Sequence, residues 1–254
     1  MLIYLNAQEI RNIFEKSSPC TPERFEQILR DGGHKLVYSW LNITEISEPL
    51  LYSKDKAEVL ELLVKMEELP HSYVNSTGIP RMELKSAAGG YGNGGHYAGI
   101  QPLVQRFDFT VDGKSSPPTA DRPEYPLPEI VWDLYSFGAL GDENGSAEKL
   151  RDICAQDRKA ASKPDPKKHF VIMLARNLKL FQVPVSADNL IAFAGWVYAE
   201  SARCPAQRLR HEVWQTLVRN SKDELSMQDW KDFSHIDCLP YVDILTLEKG
   251  LKKV

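Results

Sequence analysis

Residues 1–15, MLIYLNAQEIRNIFE, contain the pattern that most clearly indicates the fold class of the chain. Residues 2–5 are apolar and favour β-structure, and from Ile10 to Phe14 apolar residues recur at the spacing of a helix. The pattern predicts a buried strand that passes directly into a helix. Asn6 stands at the junction, where α/β proteins place polar site residues, so its identity as an amide requires an explanation.

A second unit of strand and helix follows in the sequence. Residues 21–33 begin with Thr-Pro, which is typical of a helix start, and end with Gly-Gly, which is typical of a helix end. Lys35–Ser39 then predicts a strand, and apolar spacing over residues 40–46 predicts a helix. Glu45 would lie on that helix, beyond the carboxyl end of the strand, where open α/β sheets bind ligands.

The stretch QDWKDFSHIDCLPYVDILTLEK, residues 228–249, places further acids beside a predicted strand. Asp229, Asp232 and His235 are spaced three apart, so a helix would put them on one face. Residues 241–247 predict a strand that ends at a glutamate. If this strand lies beside the first two, the two ends of the chain meet, and one edge of the sheet collects Asn6, Glu45, Asp232, Asp243 and Glu248.

Carboxylates at such short range repel one another unless a proton or a divalent cation neutralises them. Oxygen ligands favour Mg²⁺ or Mn²⁺, which activate a water molecule and stabilise the charge that grows on an attacked phosphate. The pattern therefore predicts metal-dependent hydrolysis of a phosphodiester. The alternative is structural, since an Asp or Glu at a helix start serves as a cap or a partner of the helix dipole.

Bulk properties restrict the class of protein. The 254 residues are 43% hydrophobic and 26% charged, which is typical of a globular chain and not of a disordered or fibrous one. The net charge of -4 argues against a wholly basic nucleic-acid coat. Four widely spaced cysteines predict reduced thiols. Without a signal-peptide pattern or a long apolar stretch, we expect a cytoplasmic protein with no membrane anchor.

The middle of the chain predicts a helical insertion. Five prolines at 117–128 are typical of a linker, and residues 188–201 and 205–219 predict helices. Residues 54–69 predict an amphipathic helix that packs on the core. The glycine-rich run at 89–99 lacks the spacing of a phosphate-binding loop, so we expect a flexible loop, with a lid over a substrate as the alternative.

Residues 149–179 form the one distinctly basic tract of the sequence. Its cations belong either to a solvated helix face or to a surface that follows a phosphate backbone. The second interpretation predicts binding of RNA or another single-stranded nucleic acid by Arg158, Lys159, Lys167, Lys168 and Arg176.

Three motifs, LIYLN at 2–6, KLVYSWLNITE at 35–45 and DWKDFSHIDCLPYVDILTLE at 229–248, together resemble the PIN-like nuclease superfamily, particularly its larger bacterial members with a helical insertion. The resemblance covers residues 1–85 and 226–254. It implies a metal-dependent endoribonuclease of the kind found as a toxin or an antiviral defence effector.

The resemblance also implies a fold and its division. We expect an α/β protein with a three-layer α/β/α core and a short parallel sheet. Residues 1–104 and 226–254 would form this nuclease core, and residues 105–225 a mostly helical insertion that offers a surface to a protein partner.

Carried over position by position, the resemblance makes Asn6 the counterpart of the aspartate that ends the first strand. Glu45 becomes the second acid, and Asp232, with Asp229 beside it, the third. The fourth is Glu248, with Asp243 as an additional catalytic residue. The implied ligands of Mg²⁺ or Mn²⁺ are Asn6, Glu45, Asp232, Asp243 and Glu248.

Asn6 departs from that pattern because an amide keeps one acceptor oxygen of aspartate and loses the charge. Two explanations stay open: a nuclease inactivated by a deliberate substitution, or a natural protein that has lost catalysis. In the second case the chain is a catalytically silent subunit that binds nucleic acid or protein in a larger assembly. A phosphatase is a third hypothesis, because similar carboxylate clusters act on phosphate monoesters.

Overall fold

The computed structural model describes the greater part of the chain. The residues described are 1–14, 20–52, 56–74, 78–104, 109–111, 114–116, 127–128, 131, 152, 155, 165–220, 233 and 235–246. Within them the contacts separate two compact units.

Unit 1 contains Met1–Asn75, Leu103–Asn144 and Val242–Glu248. Its strands are β1 (Leu2–Tyr4), β2 (Lys35–Ser39), β3 (His71–Val74), β4 (Leu103–Val104), β5 (Phe109–Val111), β6 (Lys114–Ser116) and β7 (Ile244–Leu245). Its helices are α1 (Ala7–Phe14), α2 (Pro22–Asp31), α3 (Trp40–Ser47), α4 (Pro49–Tyr52) and α5 (Lys56–Glu68).

Five of these strands form one sheet in the order β4-β3-β2-β1-β7, and β5 pairs with β6 in a separate hairpin. The pairs β1–β2, β2–β3 and β1–β7 are parallel, and β3–β4 is antiparallel. The predicted α/β class is therefore confirmed, as is the parallel placement of a C-terminal strand beside the first. The three-layer arrangement stays a prediction.

Local sequence explains how the first elements form. Thr21 caps α2 by accepting a hydrogen bond from the backbone of Arg24, and Pro22 occupies the first helical position, as the sequence predicts. Four of the five residues of β2 are buried, which is typical of a central parallel strand. The predicted helix at 54–69 is α5, and its apolar face joins the core beneath the sheet.

Unit 2 contains Ser76–Pro102 and Gly145–Tyr241, together with Lys249–Val254. Its described helices are α6 (Ile79–Gly92), α7 (Pro166–Leu180), α8 (Leu190–Ala199) and α9 (Pro205–Asn220), with short 3-10 helices at Ala187–Asn189 and Ile236–Tyr241. Buried residues of α6, α7 and α8 form its core, with Phe170 and Phe193 among the largest. The two helices predicted at 188–201 and 205–219 are confirmed as α8 and α9.

Two expectations need correction. The glycine-rich run is not a loop throughout, because residues 89–92 are the last turn of α6. Tyr91 lies in that turn and packs on Phe193 and Trp196, with ring centroids 5.4 and 5.5 Å away, and this packing outweighs the poor helix propensity of glycine. The predicted strand over 241–247 is shorter than expected, since Tyr241 ends a 3-10 helix and β7 begins at Ile244.

The predicted division into a core (1–104 and 226–254) and an insertion (105–225) stays a prediction. The contacts group residues 76–102 with the helices of unit 2, and residues 103–144 with the sheet of unit 1. Among the helices that the structure describes, none is long and apolar enough to cross a membrane.

Candidate functional site

Asn6 is fixed on two sides at the carboxyl end of β1. Its side-chain Oδ1 accepts a hydrogen bond from the backbone N–H of Glu9 at 2.8 Å, which makes Asn6 the N-cap of α1. Its own backbone N–H donates to Oγ1 of Thr246 at 2.9 Å. The side chain is 7% exposed, so this junction between strand and helix is nearly closed to solvent.

A buried polar network lies next to Asn6 and links the ends of β1 and β2. The Tyr4 hydroxyl and Ser39 Oγ share a hydrogen bond of 2.6 Å, and the amide of Asn42 donates to the backbone oxygen of Leu5 at 3.0 Å. Ser39 also forms a reciprocal capping box with Asn42 at the start of α3. This network holds the chain immediately before Asn6 in place.

Sequence reasoning missed Ser39 and Asn42. The signal was present as Ser-Trp-Leu-Asn, a helix-capping pattern that directly follows a predicted strand. Both side chains are fully buried, and each makes more than one hydrogen bond. Their role in this structure is to hold the ends of β1 and β2 in place, and we assign them no catalytic role.

Glu45 lies on α3, and its side chain is partly exposed. Arg11 of α1 donates from Nη2 to the backbone oxygens of Glu45 and Ile46 at 3.0 and 2.9 Å. Arg11 thereby holds α1, the helix that Asn6 caps, against the last turn of α3. A cation near the carbonyls at the end of a helix is also electrostatically favourable. Asn6 and Glu45 therefore lie on two helices that are held together.

Asp243 occupies the opposite end of the sheet. Its Oδ2 accepts a hydrogen bond from the backbone N–H of Leu2 at 2.7 Å, and its own N–H donates to the oxygen of Leu2 at 2.8 Å. The register pairs Ile3 with Ile244, so Asp243 precedes β7 while Asn6 follows β1. The structure does not bring these two residues together, because parallel strands put their first residues at one edge and their last residues at the other.

The remaining predicted acids, Asp229, Asp232 and Glu248, lie outside the described residues. In the part of the chain that the structure describes, no three His, Cys, Asp or Glu side chains are grouped so that they could hold a metal ion. Thr246 lies at the edge beside Asn6, and Glu248 is two residues further along the sequence.

The predicted nucleic-acid contacts divide in a similar way. Arg158 and Lys159 lie outside the described residues. Lys167 and Lys168 are exposed in the first turn of α7, whose N-cap is Asp165. Arg176 is also exposed, two turns further along the same helix.

Unit 2 contains a buried carboxylate that sequence reasoning did not single out. Glu83 of α6 accepts hydrogen bonds from the backbone N–H groups of Ala206 and Gln207 at 2.7 and 3.0 Å, so it caps α9 from a distant part of the chain. The Tyr241 hydroxyl donates to the same carboxylate. Burial raises the pKa of Glu83 to about 7, although the hydrogen bonds from Tyr241 and the two amides act to lower it.

Asp237 is a second buried acid of this unit. Arg210 lies 3.3 Å from its Oδ2, and its Oδ1 has no hydrogen-bond partner among the described residues. Burial raises the pKa of Asp237 to about 6, and Arg210 opposes this shift. Glu83 and Asp237 both contact other elements of unit 2.

Comparison of the chain with protein-family models, with curated proteins and with solved structures found no match.

Proposed function

We propose that the chain is a metal-dependent endoribonuclease of the PIN-like type, whose activity is reduced because Asn6 stands where an aspartate would bind the cation. The supporting observation is the hydrogen bond between Asn6 and Thr246, residues 240 positions apart. This bond joins the two chain ends at the carboxyl edge of a mostly parallel sheet, where α/β proteins bind ligands.

The donor set at this edge suits a hard cation. The Asn6 amide and the Glu45 carboxylate offer oxygen ligands, and Glu248 of the same unit would add a third in this proposal. Mg²⁺ or Mn²⁺ bound there would lower the pKa of a water molecule and stabilise negative charge on a phosphodiester. The protein contributes rigidity, because Ser39 and Asn42 hold the end of β1, which precedes Asn6, against the start of α3, the helix that carries Glu45.

The hydrogen bonding of Asn6 explains how an amide is tolerated there. Its Oδ1 is occupied by the N–H of Glu9, and asparagine and aspartate are equally good N-caps. The Asn6→Asp substitution would keep the cap with one oxygen and leave the second for a cation. We therefore expect it to restore activity without a cost to the fold.

RNA is the proposed substrate, and the basic residues of α7 support this choice. Lys167, Lys168 and Arg176 put three exposed cations on one helix, where they could contact phosphates of a single strand. In this proposal they bind the strand and do not take part in bond cleavage.

The proposal is tested by cleavage of a labelled single-stranded RNA in Mg²⁺ or Mn²⁺. The Asn6→Asp variant is expected to cut faster than the Asn6 protein, and Glu45→Gln in that background is expected to abolish the gain. Asn6→Ser is the matched control at the first position, since serine caps a helix without supplying a carboxylate. Glu48→Gln is the control at the second, because Glu48 is one turn further along the chain at the C-cap of α3.

A catalytically silent binding subunit is the alternative. The observation that favours it is the role of Asn6 as a helix cap, which requires no metal ion. It predicts that Asn6→Asp and Asn6→Ser behave alike, with no cleavage of RNA and none of p-nitrophenyl phosphate, the substrate that would indicate a phosphatase.

A further inference from the structure

A cleft of about 770 Å³ lies within unit 2, between α7, α9 and Phe233. Residues of α7 that are three or four positions apart share one face of the helix, and that face forms one wall of the cleft. The described residues that line the cleft all belong to unit 2, from His169 to Phe233. It shares no residue with the edge around Asn6.

Aromatic side chains form part of the cleft lining, beside Met173 and Leu180. Phe181, Trp214 and Phe233, called here the aromatic floor, line it. The rings of Trp214 and Phe233 pack at a centroid distance of 5.7 Å, and both side chains are nearly buried in the protein. A rigid apolar surface of this kind favours a flat, apolar group over a flexible one.

Cationic side chains also line the cleft. Arg176, Lys179 and Arg210, called here the cationic rim, line it, and no Asp or Glu is among the described residues that do so. Arg210 is held in place, because its guanidinium lies 5.2 Å from the ring of Phe233 and pairs with Asp237 behind it. Arg176 and Lys179 are exposed, so their charges can reach a ligand from solvent.

A cleft that is lined by both aromatic and cationic side chains favours a ligand with an apolar part and an anionic part. The floor fits a planar heterocycle, which stacks or lies flat on aromatic side chains. The rim fits a phosphate, because Arg176 and Lys179 carry positive charge at exposed positions and the guanidinium of Arg210, although it pairs with Asp237, offers further N–H donors. The volume lies within the range of pockets that hold small organic ligands.

We propose that this cleft binds a single nucleotide unit, with its base on the aromatic floor and its phosphate at the cationic rim. The unit is either a free nucleotide or one residue of an RNA strand. The proposal does not rest on the proposed nuclease, because the cleft would bind a nucleotide in a chain that cuts nothing.

The test is calorimetric titration of the full chain with uridine 5′-monophosphate in EDTA, which removes any contribution from a metal site. Uridine, inorganic phosphate and decanoate are titrated in parallel, the last as an amphipathic carboxylate. Arg176→Gln and Lys179→Gln each remove one charge of the rim at an exposed position. Lys85→Gln is the control, because Lys85 is an exposed lysine of α6 in the same unit and does not line the cleft.

The nucleotide is expected to bind more tightly than uridine, phosphate or decanoate. Each rim substitution should weaken binding about tenfold, the value of one charge-assisted hydrogen bond, and Lys85→Gln should leave it unchanged. No saturable binding at millimolar nucleotide overturns the proposal, as does tighter binding of decanoate or an equal loss in the control. A tetrauridylate that binds more tightly than the mononucleotide assigns the site to RNA, and equal affinity assigns it to a free nucleotide.

Discussion

The backbone N–H of Asn6 donates to the side-chain oxygen of Thr246 at 2.9 Å, although 240 positions separate the two residues. The contact exists because β7 pairs in parallel with β1, so that the chain leaves both strands at the same edge of the sheet. Any site formed by both ends of the chain at that edge depends on this pairing.

Removing the acceptor at Thr246 should loosen this edge. Thr246→Val keeps the shape of the side chain and leaves the Asn6 N–H without its partner, which is expected to lower the free energy of unfolding by about 1 kcal/mol. Thr246→Ser retains the hydroxyl and is the matched control. Urea denaturation compares the two, and a valine variant as stable as the serine variant would show that the bond contributes nothing.

The buried cap of α3 should matter more than the exposed cap of α2. Ser39→Ala removes hydrogen bonds to the Tyr4 hydroxyl and to the backbone N–H of Asn42, both in the buried core. We expect a cost of about 2 kcal/mol, against about 1 kcal/mol for Thr21→Ala at an exposed cap. Equal losses in thermal or urea unfolding would contradict the role assigned to the buried network.

Glu83 should make the protein less stable as the pH rises. Its pKa in the folded protein is about 7, above the ordinary value of 4.5, because burial opposes ionisation. The folded state therefore keeps a proton that the unfolded chain releases between those values, so the stabilisation is complete below about pH 4.5 and is lost towards pH 7. The loss should be on the order of 3 kcal/mol.

The measurement is the free energy of unfolding at several pH values from 4.5 to 8, for the protein and for Glu83→Gln. The glutamine variant lacks this titration, so its stability should change less over that range. Glu212→Gln is the control on α9, since Glu212 is an exposed glutamate in a surface ion pair. The same pH dependence in the protein and in Glu83→Gln would refute the assignment.

The sequence predicts the first two strands of the sheet and several of the helices, because their signals are local. The apolar run before Asn6 and the run from Lys35 to Ser39 are the strands β1 and β2. Thr21 caps a helix as its pattern indicates, and the periodic segments of α5, α8 and α9 are helical. Each of these elements is specified by residues within one or two turns.

Long-range contacts account for what the sequence does not predict. Tyr241 was expected in a strand, but its hydroxyl bonds to Glu83, 158 positions earlier, and it ends a 3-10 helix instead. Asp243 was expected beside Asn6, but its position depends on the register of β7 against β1, which no periodicity records. Tyr91 stabilises a helical turn that contains three glycines, through contacts with rings of α8.

The proposed nuclease depends most on a cation site at the edge beside Asn6. Mn²⁺ titration by calorimetry tests for that site most directly. The Asn6→Asp variant is compared with Asn6→Ser, which keeps the helix cap without adding a carboxylate. We predict saturable Mn²⁺ binding by Asn6→Asp at least about tenfold tighter than by Asn6→Ser, and its loss when Glu45→Gln is added. Equal affinity in the two variants, or no saturable binding in either, would contradict the account.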